Sequence, residues 1–242
     1  MFEINHIHFD SIGSTNTWAK AHVAKWATPR LTLVTATQQT GGRGRFKRQW
    51  VSPPDVNIYA TFCFLVSENR SDIGHIPQLL ALAACQLLEQ LGFSPKIKWP
   101  NDILIGNRKI AGVLCESVLY EGMRGVVLGI GLNVNMPKAE LQKIDRPATS
   151  MQVEGGKFFV VQEILDELQK KFNAFLSEFI LTGFSAFWEA FQSRSYFKKG
   201  DFVRFHDNQR IIQGSFEALL PDGSMAINLD GEVKVFHAGE FV

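Results

Sequence analysis

The period of the apolar positions changes several times along the 242-residue chain, and each change marks an element. Ile4 to Phe9 alternates as a short strand, and Ser14-Thr15 offers an N-cap for a helix running to about Trp26. Leu31 to Thr37 is β-branched and strand-like. After Pro53-Pro54, Asn57 to Val66 alternates Ile58, Ala60, Phe62 and Phe64 against Tyr59, Thr61, Cys63 and Leu65. Both sets are mostly apolar, so this strand is expected to be covered on both faces. Ile76, Leu79, Leu80, Ala83, Leu87, Leu88 and Leu91 recur at helical spacing, and Gly92 is placed to stop that helix. From Lys96 to Asn135 the pattern predicts strands joined by tight turns at Gly106-Asn107 and around Glu121-Gly122. The stripe Ile164, Leu165, Leu168, Phe172, Phe175, Leu176 and Phe179 predicts a long helix ended by Gly183, and Phe184, Phe187, Trp188 and Phe191 an aromatic-rich helix behind it. Strands with helices packed on them and no internal repeat indicate an α+β or mixed α/β domain.

Beyond Lys198-Lys199-Gly200 the runs become short and alternating: Phe202 to Phe205, Ile211 to Leu219, Met225 to Leu229 and Val233 to Phe236. Asp207-Asn208, Pro221-Asp222-Gly223 and Asp230-Gly231 separate them, which predicts hairpins and a small β-barrel. The expected division is residues 1–195 as one domain and 196–242 as the second.

Between the second and third strands lies Gly41-Gly42-Arg43-Gly44-Arg45-Phe46-Lys47-Arg48-Gln49-Trp50, which fits neither period. Glycines there let the backbone approach an anion closely, the arginines suit bidentate phosphate recognition, and Phe46 and Trp50 offer flat apolar faces. Such a segment buries little by itself, so it is expected to close over an anionic ligand and to order when that ligand arrives. Charge does not extend this into a general basic surface: 25 Lys+Arg stand against 24 Asp+Glu, a formal +1. Cys63, Cys85 and Cys115 are far apart and lie in apolar runs, reading as reduced core thiols of a cytoplasmic protein. No signal peptide is visible, and the longest apolar stretch, around Leu79 to Leu88, is too short to span a bilayer. Serine-hydrolase elbows and Walker-type loops are absent, and the six histidines form no metal or triad pattern.

Two stretches carry further candidate chemistry. If Gly106-Asn107 is a two-residue turn, Leu104 pairs with Lys109 and Asp102 with Ala111, placing Asp102 and Lys109 diagonally on one face, within reach of one ligand or of each other as a surface ion pair. In Gly129 to Asn135, parity sets Gly129, Gly131, Asn133 and Asn135 on one face against Ile130, Leu132 and Val134 on the other. The bare face implies close approach by a ligand or by partner backbone, or else a bulge or tight helix packing; Gly131 to Asn135 is also a candidate edge for a dimer sheet or a carrier.

Ser14-Thr15-Asn16, Gly42-Arg43-Gly44-Arg45 with Arg48 and Trp50, Lys98-Trp99-Pro100-Asn101-Asp102, Lys109-Ile110-Ala111-Gly112 and Gly131-Leu132-Asn133 resemble, in that order, the motifs of biotin protein ligases, and Phe236 to Glu240 resembles the end of that family's C-terminal barrel. The resemblance implies a class II synthetase-like α+β fold, a mixed sheet with packed helices followed by an SH3-like β-barrel. It implies that biotin and ATP give biotinyl-adenylate and pyrophosphate, and that a lysine of a biotin carboxyl carrier domain takes the biotinyl group. Ser14, Thr15, Asn16, Gln39, Gly42, Arg43, Lys109 and Gly112 would then bind biotin, and Arg45, Arg48, Trp50, Asn101, Asp102 and Asn133 the nucleotide. Lys109, Asp102 and Arg45 would be catalytic, with Asp102 also serving the Mg²⁺ that accompanies ATP. Only thirteen residues precede Ser14, so the DNA-binding helix-turn-helix of some members is not expected, while a homodimer is compatible. Gly41 stands where the family usually has a small residue such as Ala. A lipoate or octanoate ligase and a nucleic-acid module are the rival readings.

Overall fold

The first alternating run becomes β1 (Ile4–Ile12), and Ser14 caps α1 (Thr15–Ala21), its side chain accepting from the Thr17 N–H. The structure is a computed structural model describing residues 1–26, 30–207 and 209–242, with every side chain among them except that of Lys47. α1 stops short of the expected Trp26. After a 3-10 turn at Val23–Lys25, Trp26 folds back and its indole N–H donates to the Ala19 carbonyl at 3.2 Å.

There follow β2 (Leu31–Gln39), β3 (Ile58–Ser67), α2 (Ile76–Gln90), β4 (Pro95–Lys98), β5 (Asp102–Ile105), β6 (Arg108–Tyr120) and β7 (Met123–Leu132). They form a sheet in the order β1-β2-β3-β7-β6-β5-β4, in which only β1 and β2 run parallel. The anticipated turns fall at Gly106 (φ 58) and at Glu121 and Gly122 (φ 48 and 72). Because β7 pairs with β3 on one side and β6 on the other, its glycine run is interior and offers no edge to a dimer sheet or carrier, which corrects that expectation.

Helices α3 (Lys138–Leu141), α4 (Met151–Gly155), α5 (Val161–Thr182) and α6 (Trp188–Gln192) complete this part, and Gly183 (φ 73) ends α5 as its position suggested. Strand parity decides what each sheet face does. Leu31, Leu33, Ile58, Ala60, Phe62, Phe64, Val126, Leu128, Ile130, Ala111 and Val113 share one core with the apolar stripes of α2 and α5. The Phe62 and Phe172 rings meet across it at 4.7 Å. The intervening residues, Thr61, Cys63, Gly112, Leu114, Val127, Gly129 and Gly131, face the other way, toward α1 and an open hollow.

The C-terminal residues form a second antiparallel sheet of β8 (Phe202–His206), β9 (Ile211–Leu219), β10 (Met225–Leu229), β11 (Glu232–Phe236) and β12 (Glu240–Phe241), ordered β11-β10-β9-β8-β12. Of the expected turn at Asp207-Asn208, Asn208 lies outside the described residues. Phe205, Phe216, Ile227 and Phe241 join the same apolar cluster as Ile97 and Trp99, and the Trp99 indole N–H donates to the Gly223 carbonyl at 2.9 Å. The second sheet is thereby fixed against β4 and the segment behind it. No helix among the described residues is long and apolar enough to cross a membrane.

One polar contact pins the start of the chain: Asn173 on α5 accepts from the Phe2 N–H at 2.9 Å and donates to its carbonyl at 2.7 Å. Asn173→Ala leaves both backbone groups unpaired, and we expect a loss of about 1–3 kcal/mol, read as a lower Tm in a thermal melt. An unchanged Tm would show that water replaces the amide without cost.

Candidate active site

The hollow on the α1 face encloses about 680 Å³, within the range of small-molecule sites. A buried polar network made by the start of α1 closes one end. Thr15 donates to Gln39 Oε1 from both its backbone N–H (2.9 Å) and its hydroxyl (3.2 Å), and Gln39 Nε2 donates to Ser52 Oγ at 3.1 Å. Thr61 Oγ1 lies 2.8 Å from Thr15 Oγ1 and 2.7 Å from Asn16 Oδ1, and Asn16 Nδ2 donates to the Leu114 carbonyl at 3.2 Å. Ser14, Thr15, Asn16 and Gln39 are therefore brought together as the sequence suggested. Thr61 and Ser52, which support them, were not foreseen.

The floor is glycine. Gly112 on β6 and Gly131 on β7 are register partners, and Gly129 lies opposite Leu114. A Cβ on Gly131 would stand 2.2 Å from Trp50 Cε2, and one on Gly129 would stand 2.1 Å from Asn16 Oδ1. What approaches the bare face of β7 is thus the Asn16 amide of α1, the tight helix packing that the sequence allowed beside a ligand or partner backbone, and the Trp50 indole, which it did not foresee there. The Trp50 Nε1 atom is buried without an acceptor. Asn133 falls just past β7, with Nδ2 donating to the Thr149 carbonyl at 2.9 Å and Oδ1 accepting from Asn57 at 3.4 Å.

At the other end Lys109 Nζ donates to Asp102 Oδ1 at 2.6 Å. The hairpin that brings them together differs from the simple two-residue register. Leu104 pairs with Lys109 as expected, but the register shifts between Ile103 and Leu104, so Asp102 opposes Gly112 and Ala111 turns into the core. That shift has a use: a Cβ on Gly112 would lie 2.8 Å from both Lys109 Cε and Nζ, so glycine leaves the ammonium free to fold back over the floor where a side chain would push it aside. Lys109 Nζ then rests 5.4 Å from the Trp50 ring centroid.

The glycine-arginine segment is a flap. Gly44 N–H donates to the Arg48 carbonyl (2.8 Å) and Trp50 N–H to the Gly42 carbonyl (2.9 Å), and the tip turns at Arg45–Lys47 with Phe46 at φ 55. Its arginines all have partners. Arg43 meets Glu116 at 2.5 Å, while Arg45 donates to the Gly239 carbonyl (2.9 Å) and to Asn101 Oδ1 (3.4 Å). Arg48 holds both oxygens of Glu240 at 2.5 and 2.6 Å. Burial pulls the Arg45 guanidinium below its usual pKa. It does the same to Lys98, against the raising influence of Asp102 and Glu240, and Lys98 Nζ donates to the Phe241 carbonyl at 3.0 Å. Asn101 Nδ2 bonds the Val113 carbonyl, which leaves the amide oxygen facing the hollow.

Sequence reasoning missed two wall elements, the C-terminal residues Glu240 to Val242 and the irregular segment 143–148, whose Arg146 pairs with Asp145 at 3.0 Å, and it missed Glu116 on β6, which bonds Asn16 and Arg43 of the lining. Glu116 collects Asn16 Nδ2 (3.3 Å), Lys20 (3.2 Å) and Arg43. Burial alone would raise its pKa, but the Asn16 amide, Arg43 and Lys20 outweigh it and hold the carboxyl below its usual value. A carboxylate depressed in this way stabilises the fold above its unfolded pKa of about 4.3, and the contribution is lost as pH falls through the lower folded value.

The biotin/lipoate A/B protein ligase family model matches residues 8–133, a span that holds every site residue named from the sequence. The biotin--[acetyl-CoA-carboxylase] ligase of Paracoccus denitrificans is 30% identical over 216 residues, 86% of this chain and 88% of its own length. The bifunctional ligase/repressor BirA of Bacillus subtilis is 33% identical over 195 residues, covering 76% of this chain and 58% of its own length. This chain therefore spans less than two thirds of that relative. Among solved structures, the biotin protein ligase of Aquifex aeolicus in complex with biotin and ATP matches with a TM-score of 0.81 and 28% identity, over 98% of this chain and 97% of that one. By family model, relatives and fold together, the chain belongs to the biotin/lipoate A/B protein ligase family.

Proposed function

We propose that the protein is an ATP-dependent biotin ligase, converting biotin and ATP to biotinyl-5′-AMP and pyrophosphate and then passing the biotinyl group to a lysine of a biotin carboxyl carrier domain. The observation that carries this reading is a single hollow with two chemically different ends: a hydroxyl and amide network over a glycine floor, and a cation cluster of Lys98, Lys109, Arg45 and Arg48. The first end suits a small, mostly apolar ring with a few polar anchors. The second suits a triphosphate.

In the first step a biotin carboxylate oxygen attacks the α-phosphorus and pyrophosphate leaves. Two unit negative charges ~4 Å apart repel by about 4 kcal/mol at an effective dielectric of 20, so the barrier is largely electrostatic. Lys109, at the junction of the two ends, would bridge the carboxylate and the α-phosphate, while Arg45 and Arg48 would turn from Gly239 and Glu240 to the phosphates. In the second step the carrier amine attacks the acyl carbon, AMP leaves, and Asp102 would take the proton the amine sheds. The closed flap would keep water from the mixed anhydride until then.

Mg²⁺ would enter with ATP. The described residues hold no cluster of three or more acidic, histidine or cysteine ligands, and Asp102 with the Asn101 oxygen suits an ion bound mainly by phosphate oxygens and water. It would screen phosphate charge there. Near-neutral net charge argues against a broadly basic surface, and this reading is of ligation.

The direct test incubates the protein with ATP, Mg²⁺ and either biotin or octanoate, following pyrophosphate release and the mass of a biotin carrier domain. Biotin-dependent pyrophosphate with a biotinyl mass gain on the carrier lysine is expected; turnover with octanoate alone would move the protein to the lipoate side of its family. Arg45→Gly should let the adenylate escape, appearing as biotin on bystander lysines, and labelling still confined to the carrier would remove Arg45 from the retaining lid.

A further inference from the structure

The three arginines of the flap point to different places. Arg45 and Arg48 face the C-terminal strand and Asn101, at the end of the hollow assigned to phosphates, so both must exchange partners when a nucleotide enters. Arg43 points away from that end to Glu116 on β6, and its contact is not challenged by phosphate. Glu116 itself does not resemble a solvent-screened surface acid: its side chain is 17% exposed and its carboxylate takes donors from three residues on two elements, Asn16 and Lys20 of α1 and Arg43 of the flap. Asn16 is the residue that packs on Gly129 and meets Thr61, so Glu116 ties the flap directly to the polar wall. The two legs of the flap are pinched at Gly42, where a Cβ would lie 2.5 Å from the Trp50 carbonyl oxygen, so tilting the flap requires Arg43 to leave Glu116.

We propose that Glu116 is a positioning residue that holds the flap shut over the reaction intermediate by anchoring Arg43 through both steps. The anchor retains the acyl-adenylate, an assignment that rests on the biotin ligase reading above, whereas the closure of the flap on Glu116 does not depend on what the hollow binds. Exchanging the carboxylate for an amide keeps shape and the means to accept from Asn16 but removes the charge on which Arg43 and Lys20 converge.

The experiment compares wild type, Glu116→Gln and the charge swap Arg43→Glu with Glu116→Arg. In the absence of any ligand, limited trypsin digestion with mass spectrometry reads cleavage after Arg45, Lys47 and Arg48, sites that all three proteins share. With biotin, ATP and Mg²⁺, a chase reads release of biotinyl-adenylate, and bystander lysines report its escape. Glu116→Gln should raise flap cleavage and adenylate release by about tenfold each, the scale of one lost charge-assisted contact, with the KM for ATP within about twofold of wild type. The charge swap should restore slow cleavage and retention at least in part, which a purely structural role of Glu116 would not produce. Unchanged cleavage in Glu116→Gln overturns the anchor outright. Faster cleavage with unchanged adenylate release overturns its part in retention. If wild type forms no adenylate while Glu116→Gln still cleaves faster, the anchor stands and the biotin reading fails.

Discussion

Lys109→Ala is expected to cut adenylate formation by roughly 10²–10³-fold, the usual cost of removing one preorganised donor from developing charge. The fold should hardly notice. Lys109 is neither in the apolar core nor the only cation near Asp102, since Lys98 is the register partner of Asp102 across the β4–β5 pair. The variant should therefore bind biotin and ATP measurably, show a near-native Tm, and fail in pyrophosphate release. Lys109→Arg should rescue little: a planar fork does not fit the slot above Gly112, where there is no room even for a Cβ beside the lysine ammonium. Pyrophosphate release within about tenfold of wild type for Lys109→Ala would remove this residue from the chemistry.

Gly131→Ala should be nearly as damaging for a different reason. The added methyl would lie 2.2 to 2.5 Å from three atoms of the Trp50 indole, and β7 cannot retreat because it is paired on both sides. The indole must leave, taking the end of the flap with it. We expect kcat/KM for biotin to fall by about 10²-fold, the scale of an ångström-sized displacement at a reacting centre, with little change in Tm because Trp50 belongs to no apolar core cluster. Steady-state kinetics beside a thermal melt would separate the two effects, and a variant with native kinetics would mean that Trp50 is not needed where it lies.

The legible part of the site was the contiguous part. Ser14 to Asn16 announces itself as a helix cap, and Lys98 to Asp102 and Lys109 to Gly112 are short runs whose hairpin fixes their meeting. Parity also gave the two faces of β7, because alternation is a local property of a strand. It could not say what covers the bare face, since Trp50 reaches Gly131 only through the folded flap. Nor could spacing show the shift at Ile103 and Leu104, which moved Gly112 opposite Asp102. Glu116 was missed because one acid in an alternating strand reads like any solvent-facing position; what distinguishes it is the arrival of Asn16, Lys20 and Arg43 from distant parts of the chain. Thr61 was hidden in the same way among the apolar residues of β3, and segment 143–148 has no period to read.

The route by which the chain reaches Val242 also bears on how the protein is handled. Glu240, Phe241 and Val242 line the end of the hollow that holds Arg45 and Arg48, while Phe2 lies against α5 on the opposite face of the sheet. On the ligase reading proposed above, a segment joined after Val242 would emerge beside the opening that a nucleotide and a carrier lysine would share. An affinity handle there would act as a tethered competitor for the opening, so recombinant handles and surface attachment belong at the amino end.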